Sequence, residues 1–225
     1  MIIAVDGPVA AGKGTLARRL AEALRCAYLD TGSIYRAVAA KILVAGGNPE
    51  DPATATAAAR ALQPIDLERD DLRLETASQA ASKVAAIPAV RAALLDFQRR
   101  FASEPPAGPE RPWNGAVLDG RDIGTVVCPD ADVKFFLTAS VEARAARRHK
   151  ELLERGEQSI YARVLQDLRE RDARDSGRAT APLKAAADAV RLDTGEMDAD
   201  RAFEVAMAEI ARRGLGPPGA KPMEG

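Results

Sequence analysis

The stretch DGPVAAGKGT, Asp6 to Thr15, constrains this chain more than any other. From Gly7 to Lys13 it follows the pattern G-x-x-x-x-G-K, but the next slot, where Ser or Thr is expected, holds Gly14, and Thr15 comes one residue late. The apolar run Ile2–Val5 before it reads as a buried strand ended by a Gly-Pro turn. After it, Leu16, Leu20 and Leu24 recur every four residues while Arg18, Arg19 and Glu22 lie off that face, the pattern of an amphipathic helix. Strand, glycine loop, helix is the context in which such a loop binds phosphate. Gly7 and Gly12 let successive N–H groups aim at one anion, the helix start adds partial positive charge, and Lys13 reaches the outer phosphates of ATP. Gly7, Pro8, Val9, Ala10, Ala11, Gly12, Lys13, Gly14 and Thr15 are therefore the candidate nucleotide cradle. Gly14 removes the hydroxyl that binds Mg²⁺ directly in many such loops. Magnesium keeps several waters in any case, so phosphates, waters and an outer carboxylate can hold it. Asp119, ending the strand-like AVLD, is the candidate, acting through water; its plain alternative is a loop cap.

Further along, AYLD, AVLD, VKFFLTA and AVRLDT read as four more strands. TGSIYRAVAAKILVAGG, PEDPATATAAARAL, SQAASKVAAI, PAVRAALLDFQRRF and ADRAFEVAMAEIARR read as helices. The first of these stops at Gly46 and Gly47, and Pro88 stands at a favoured first-turn position. Two charged helices broken at Gly156 precede the last strand. Residues 63–76 are charged and give no clear pattern, and SEPPAGPERPWNG reads as a surface loop. Strands alternating with helices predict an α/β fold, a parallel sheet covered on both faces with ligands at the strands' carboxyl ends. One domain is expected over 1–213, with 214–225 disordered.

Net charge is −1, from 32 basic and 33 acidic residues, so nothing global points to nucleic acid or membrane. Recognition of a charged ligand has to be local. Cys26 and Cys128 stand far apart and are expected as reduced, buried thiols. His149, in RRHKE, is expected exposed on a helix. One histidine and no cysteine cluster argue against a zinc site or a Ser-His-Asp triad. No secretory leader and no run long enough for a bilayer are apparent, so a cytoplasmic location is expected.

Three further blocks, LDTGSIYR (Leu29–Arg36), GRDIGTVVCPDADVKFFLTAS (Gly120–Ser140) and RERDARDSGRATAPLKAAADAVRLDT (Arg169–Thr194), together with GKGT, give the chain its resemblance to the bacterial cytidylate kinases. The resemblance runs from about residue 2 to 210. It implies a phosphate-loop kinase fold with a five-stranded parallel sheet, a monophosphate-binding insert at about 31–103 and a short lid at about 150–178. It implies transfer of a phosphoryl group from ATP, with Mg²⁺, to CMP or dCMP, by a monomer. Members of that family usually carry a longer insert than DLERDDLRLETASQAASKVAAIPAVR, so its small sheet is expected to be cut down here.

Roles follow by the same resemblance. Arg36, Arg121 and Arg178 would hold the acceptor phosphate or the transferring group, and Lys13, Arg121, Arg174 and Arg178 would be the catalytic cations. Arg171, Arg174, Asp175 and Arg178 fall at helical spacings, so they share one face while the helix lasts; a row of like charge suits a polyphosphate, the alternative being a solvated salt-bridge ladder. Asp122 would accept from the cytosine N4 amino group. Ser82 and Arg91 would donate to O2 and N3, although Arg91 alone passes for a surface residue. Thr31 would lie near the base or sugar, and Asp175 with Arg171 at the sugar hydroxyls. The residues leave open a kinase for another small acceptor (UMP, AMP or a shikimate-like compound), a phosphate-loop switch that hydrolyses nucleotide slowly, and an inactive scaffold.

Overall fold

A computed structural model describes residues 1–108 and 112–216. Its centre is a five-stranded, wholly parallel sheet in the order β2-β3-β1-β4-β5. The strands are β1 (Ile2–Asp6), β2 (Ala27–Asp30), β3 (Ala116–Gly120), β4 (Val133–Thr138) and β5 (Val190–Asp193). The helices are α1 (Lys13–Leu24), α2 (Thr31–Val44), α3 (Pro52–Arg60), α4 (Glu75–Val84), α5 (Pro88–Ser103), α6 (Val141–Glu154), α7 (Tyr161–Ser176) and α8 (Ala199–Arg212).

Strand alternation sorts the core into two layers. Ile3 and Val5 of β1, Val117 of β3 and Phe135 and Leu137 of β4 face α1 and α8, where Leu16, Leu20, Leu24 and Ile210 meet them. Ala4, Ala116 and Leu118 point the other way, onto Ile34, Val38 and Ile42 of α2 and Val90 and Leu94 of α5. β1 and β3 are buried on both faces, which is why they read as continuous apolar runs rather than as an alternation. Each fully buried Leu or Ile contributes roughly 1.5–3 kcal/mol.

The region expected as the insert is helical. Residues 61–74 hold two 3₁₀ turns, Pro64–Glu68 and Asp70–Arg73, and the insert carries no strand among the described residues. Lys41 pairs with Asp66 at 2.8 Å, and Asp66 also accepts from the Gln63 N–H at 2.8 Å, so charge and capping shape this stretch where periodicity does not. The expected lid region is the end of α6, a turn at Gly156 (φ 77°) and α7, joined through Ala145, Leu152, Val164 and Leu168. α7 ends at Ser176, so Arg178 lies beyond the helix rather than on its face. His149 is half-buried instead of exposed. Its Nδ1 lies 2.8 Å from Ser159 Oγ, and its ring meets Tyr161 edge-on. Both cysteines are buried and free, and burial pushes the Cys128 thiol up to about 11. Of the expected disordered tail, Leu215 packs against the α1–α8 layer; residues 217–225 lie outside the described residues.

Candidate active site

Parallel pairing places the carboxyl ends of β1, β2 and β3 side by side. Asp6 stands opposite Gly120, and Asp30 opposite Asp119. Each strand then turns into a segment that lines one cavity of about 710 Å³.

The glycine loop leaves β1 at Gly7, whose φ is 147°. A Cβ there would stand 2.4 Å from the Leu137 carbonyl oxygen, so the loop hugs β4 too closely for any side chain. Gly12, with φ 85° and ψ 7°, caps α1. The α1 N-terminus therefore points into the cavity with N–H groups that lack helical partners. Lys13 is buried, lines the cavity and donates to the Pro8 carbonyl at 2.7 Å. Burial, then the nearby Arg121, push its pKa down, against the pull of Asp119. Val9, Ala10 and Gly14 also line the wall; Thr15 is exposed.

Gly14 has a steric meaning. A Cβ there would lie 3.2 Å from the Arg18 guanidinium and 3.4 Å from Asp119 Oδ2. The space that Ser or Thr would fill lies between a cation and a carboxylate. Asp119 is buried and accepts from the Tyr28 hydroxyl at 2.7 Å, while Arg18 lies over the Tyr28 ring, 5.6 Å from its centroid. Burial first, and Asp30 next, raise the Asp119 pKa. Among the described residues no cluster of three metal-ligating side chains exists. A single carboxylate oriented by a tyrosine beside the loop is the donor set of a cation that takes its other ligands from phosphates and water, so the residues fit Mg²⁺.

The far wall is a mesh of guanidinium and carboxylate. Asp175, 1% exposed, accepts from Arg121 Nε at 3.0 Å and from Arg178. Burial pushes its carboxyl up, but Arg121, Arg178 and Arg171 outweigh that and hold it below its usual range. Arg171 donates to Ser78 Oγ at 2.9 Å, and burial and Arg121 lower its pKa to about 10. Nε of both Arg171 and Arg178 is buried without a hydrogen-bond partner. Orphaned donors of this kind are costly unless something accepts from them. Arg91 pairs with the buried Asp122 and lies over the Tyr35 ring at 5.5 Å. Among the described residues, nine cationic side chains line the cavity against five carboxylates, a surplus of four on a chain whose net charge is −1. Two phosphorylated ligands would balance it.

Within the site, several expected residues make bonds that their sequence reading did not specify. Arg174 is not part of the cavity wall; it donates to Ser82 Oγ at 2.7 Å, tying α7 to α4. Arg36 crosses to Asp30 Oδ2 at 2.6 Å. The Thr31 hydroxyl donates to the Asp119 carbonyl at 2.7 Å. Thr31, Arg36, Ser82, Arg91, Arg121, Asp122, Arg171, Asp175 and Arg178 all line the cavity. The sequence reading missed Arg18, Tyr28, Tyr35, Arg148 and Arg155, all of which line it. For Arg18 a signal existed: it follows Gly14 by four, one helical turn along the same face.

The model of the cytidylate kinase family matches residues 3–212. The chain belongs to the cytidylate kinase family. The cytidylate kinase of Paramagnetospirillum magneticum is 63% identical over 212 residues, spanning 94% of this chain and 98% of that one. That of Rhodospirillum rubrum is 59% identical over 213 residues, spanning 95% and 98%. In architecture the chain is similar to an uncharacterized protein from Eubacterium ventriosum, with a TM-score of 0.53 at 14% identity over 94% of this chain and 98% of that one.

Proposed function

We propose that this cytidylate kinase family member transfers the γ-phosphoryl group of ATP to CMP or dCMP, giving ADP and CDP or dCDP. The observation that carries the reading is the meeting, in one cavity, of the Lys13 loop with the Arg91–Asp122 pair. That pair offers an acceptor beside a donor. Cytosine presents N4–H₂ beside N3, the complementary order, whereas uracil presents an oxygen beside an N–H. A site built to bond a donor rejects an analogue lacking it, because the buried carboxylate is then left facing another acceptor. Ser82, whose oxygen already accepts from Arg174, keeps its hydroxyl hydrogen for cytosine O2. Arg171 and Asp175 serve the sugar, with Thr31 beside them.

Donor ATP lies on the loop from Gly7 to Thr15, with Lys13 turned from the Pro8 carbonyl to its phosphates. Arg36, Arg121 and Arg178 take the acceptor phosphate and the transferring group, their planar forks matching phosphate oxygens two at a time. Arg174 acts from the lid, holding Ser82 and the insert in place. Asp119 would hold Mg²⁺ through water, and the ion would supply charge neutralisation. No side chain has to act as a strong base: the attacking phosphate oxygen is already anionic, and a loose phosphoryl transfer depends on placement and charge. The substrates are small molecules rather than nucleic acid, and the acting species is a monomer. No described helix is long and apolar enough to cross a membrane, and the cytoplasm is the proposed location.

A coupled ADP-release assay over CMP, dCMP, UMP, AMP and GMP at saturating Mg-ATP tests the reading. Cytosine nucleotides should be preferred; a preference for any other acceptor overturns it.

A further inference from the structure

Asp122 stands at the N-terminal cap of a π-type turn, Ile123–Val127, yet its side chain makes no capping bond. It is turned to Arg91 instead. Aspartate at such a position ordinarily accepts from the turn's own leading N–H groups, which otherwise lack partners. Here another carboxylate accepts from them. Asp6, the last residue of β1 and 4% exposed, accepts from the Ile123 N–H at 2.8 Å through Oδ1 and from the Gly124 N–H at 2.7 Å through Oδ2.

We infer that Asp6 is a positioning residue of the acceptor site: by capping the turn in place of Asp122 it releases Asp122 to read the base, and it fixes Arg121 and Asp122 against the glycine loop. The covalent geometry makes this link short. Gly7, the first residue of the loop, is bonded to Asp6, while Arg121 and Asp122 immediately precede the two amides that Asp6 holds. One side chain thus sets the offset between the donor and acceptor halves of the cavity, on which in-line transfer depends. Gly124 belongs to the same device. A Cβ on it would lie 3.1 Å from the Lys134 side chain and 3.4 Å from Asp6 Oδ2, so glycine lets the N–H come close. Burial, the largest influence, favours a neutral Asp6 and the two amide bonds favour the ionised form; on balance its carboxyl is pushed up to about 7. Asp122 adds to the rise and Lys13 opposes it.

The inference rests on the reading that Asp122 faces cytosine, and the test separates the two. Wild type, Asp6→Asn and Gly124→Ala are compared by kcat and KM for CMP and UMP, and by direct binding of a non-hydrolysable ATP analogue. Asp6→Asn keeps the size of the side chain but turns an NH₂ group toward an N–H. It should lower kcat/KM for CMP by roughly 10²-fold, the scale of an ångström's misplacement. The CMP-over-UMP ratio should narrow roughly tenfold. Analogue affinity should change by less than about threefold, because the loop itself is untouched. Gly124→Ala should show the same split at smaller size. An unchanged CMP-over-UMP ratio, or analogue affinity falling in step with turnover, overturns the inference. If Asp6→Asn fails to fold, Gly124→Ala decides by the same criteria. Independently of any variant, the wild-type Ile123 and Gly124 amides should exchange slowly, and exchange at unprotected rates overturns the clamp. A wild type with no cytosine preference would instead sink the functional reading.

Discussion

Asp175→Asn is the perturbation whose consequence the site specifies most fully. The carboxylate is buried between Arg121 Nε, at 3.0 Å, and Arg178, with Arg171 adding to the field that holds it ionised. Two unit charges about 4 Å apart attract by roughly 4 kcal/mol at the effective dielectric of a partly buried site. Asparagine keeps the shape and removes the charge, so the guanidinium groups face one another uncompensated. Breaking a buried pair from one side costs about 3–5 kcal/mol. For a chain of this size that is a fall of roughly 6–20 °C in melting temperature. The pH dependence follows from the direction of the shift. The folded carboxyl titrates below its ordinary value of 3.8, so its stabilisation is full above that pH and lost as pH falls through the lower, folded value. Urea titrations of wild type and variant should therefore show the full gap at pH 7 and converging stabilities below about pH 4. Inorganic phosphate should stabilise the variant more than the wild type, since it supplies the missing negative charge. A gap under about 1 kcal/mol at pH 7, the range of an exposed pair, would refute the reasoning; so would a gap that stays constant into acid.

Lys13→Ala should lower kcat by roughly 10²–10³-fold, the scale of one lost transition-state donor, with an unchanged far-UV spectrum. Lys13 lines the cavity and bonds one loop carbonyl, so wild-type turnover in the variant would contradict its assignment. Asp122→Ala should narrow the CMP-over-UMP preference by about an order of magnitude or more. An unaltered ratio would move base recognition elsewhere.

How much of this was legible in the sequence depends on the range of the interaction. The loop context, the apolar strands and the helices with Pro88 at the first turn and Gly46 or Gly156 past the last follow from neighbours a few residues apart, and they stand where the periodicity puts them. Residues 61–74 resisted because their order comes from charge and capping, such as Lys41 with Asp66, in 3₁₀ turns too short to show a period. In the site, sequence indicates which residue types gather but not how each is held. Arg36 turning to Asp30, the Thr31 hydroxyl spent on a main-chain carbonyl and Arg174 bonding Ser82 are settled by where β2, β3, α4 and α7 meet. Asp6 is the strongest case. In the sequence it merely opens the loop stretch and carries no role, because the amides it holds lie more than a hundred positions away.

The most direct test of the central claim is a structure of the complex with CMP and a non-hydrolysable ATP analogue. The donor phosphates should lie on Lys13, the acceptor phosphate against Arg121 and Arg178, and the cytosine amino group on Asp122. A pyrimidine ring bound away from Asp122, or donor phosphates away from Lys13, would contradict it.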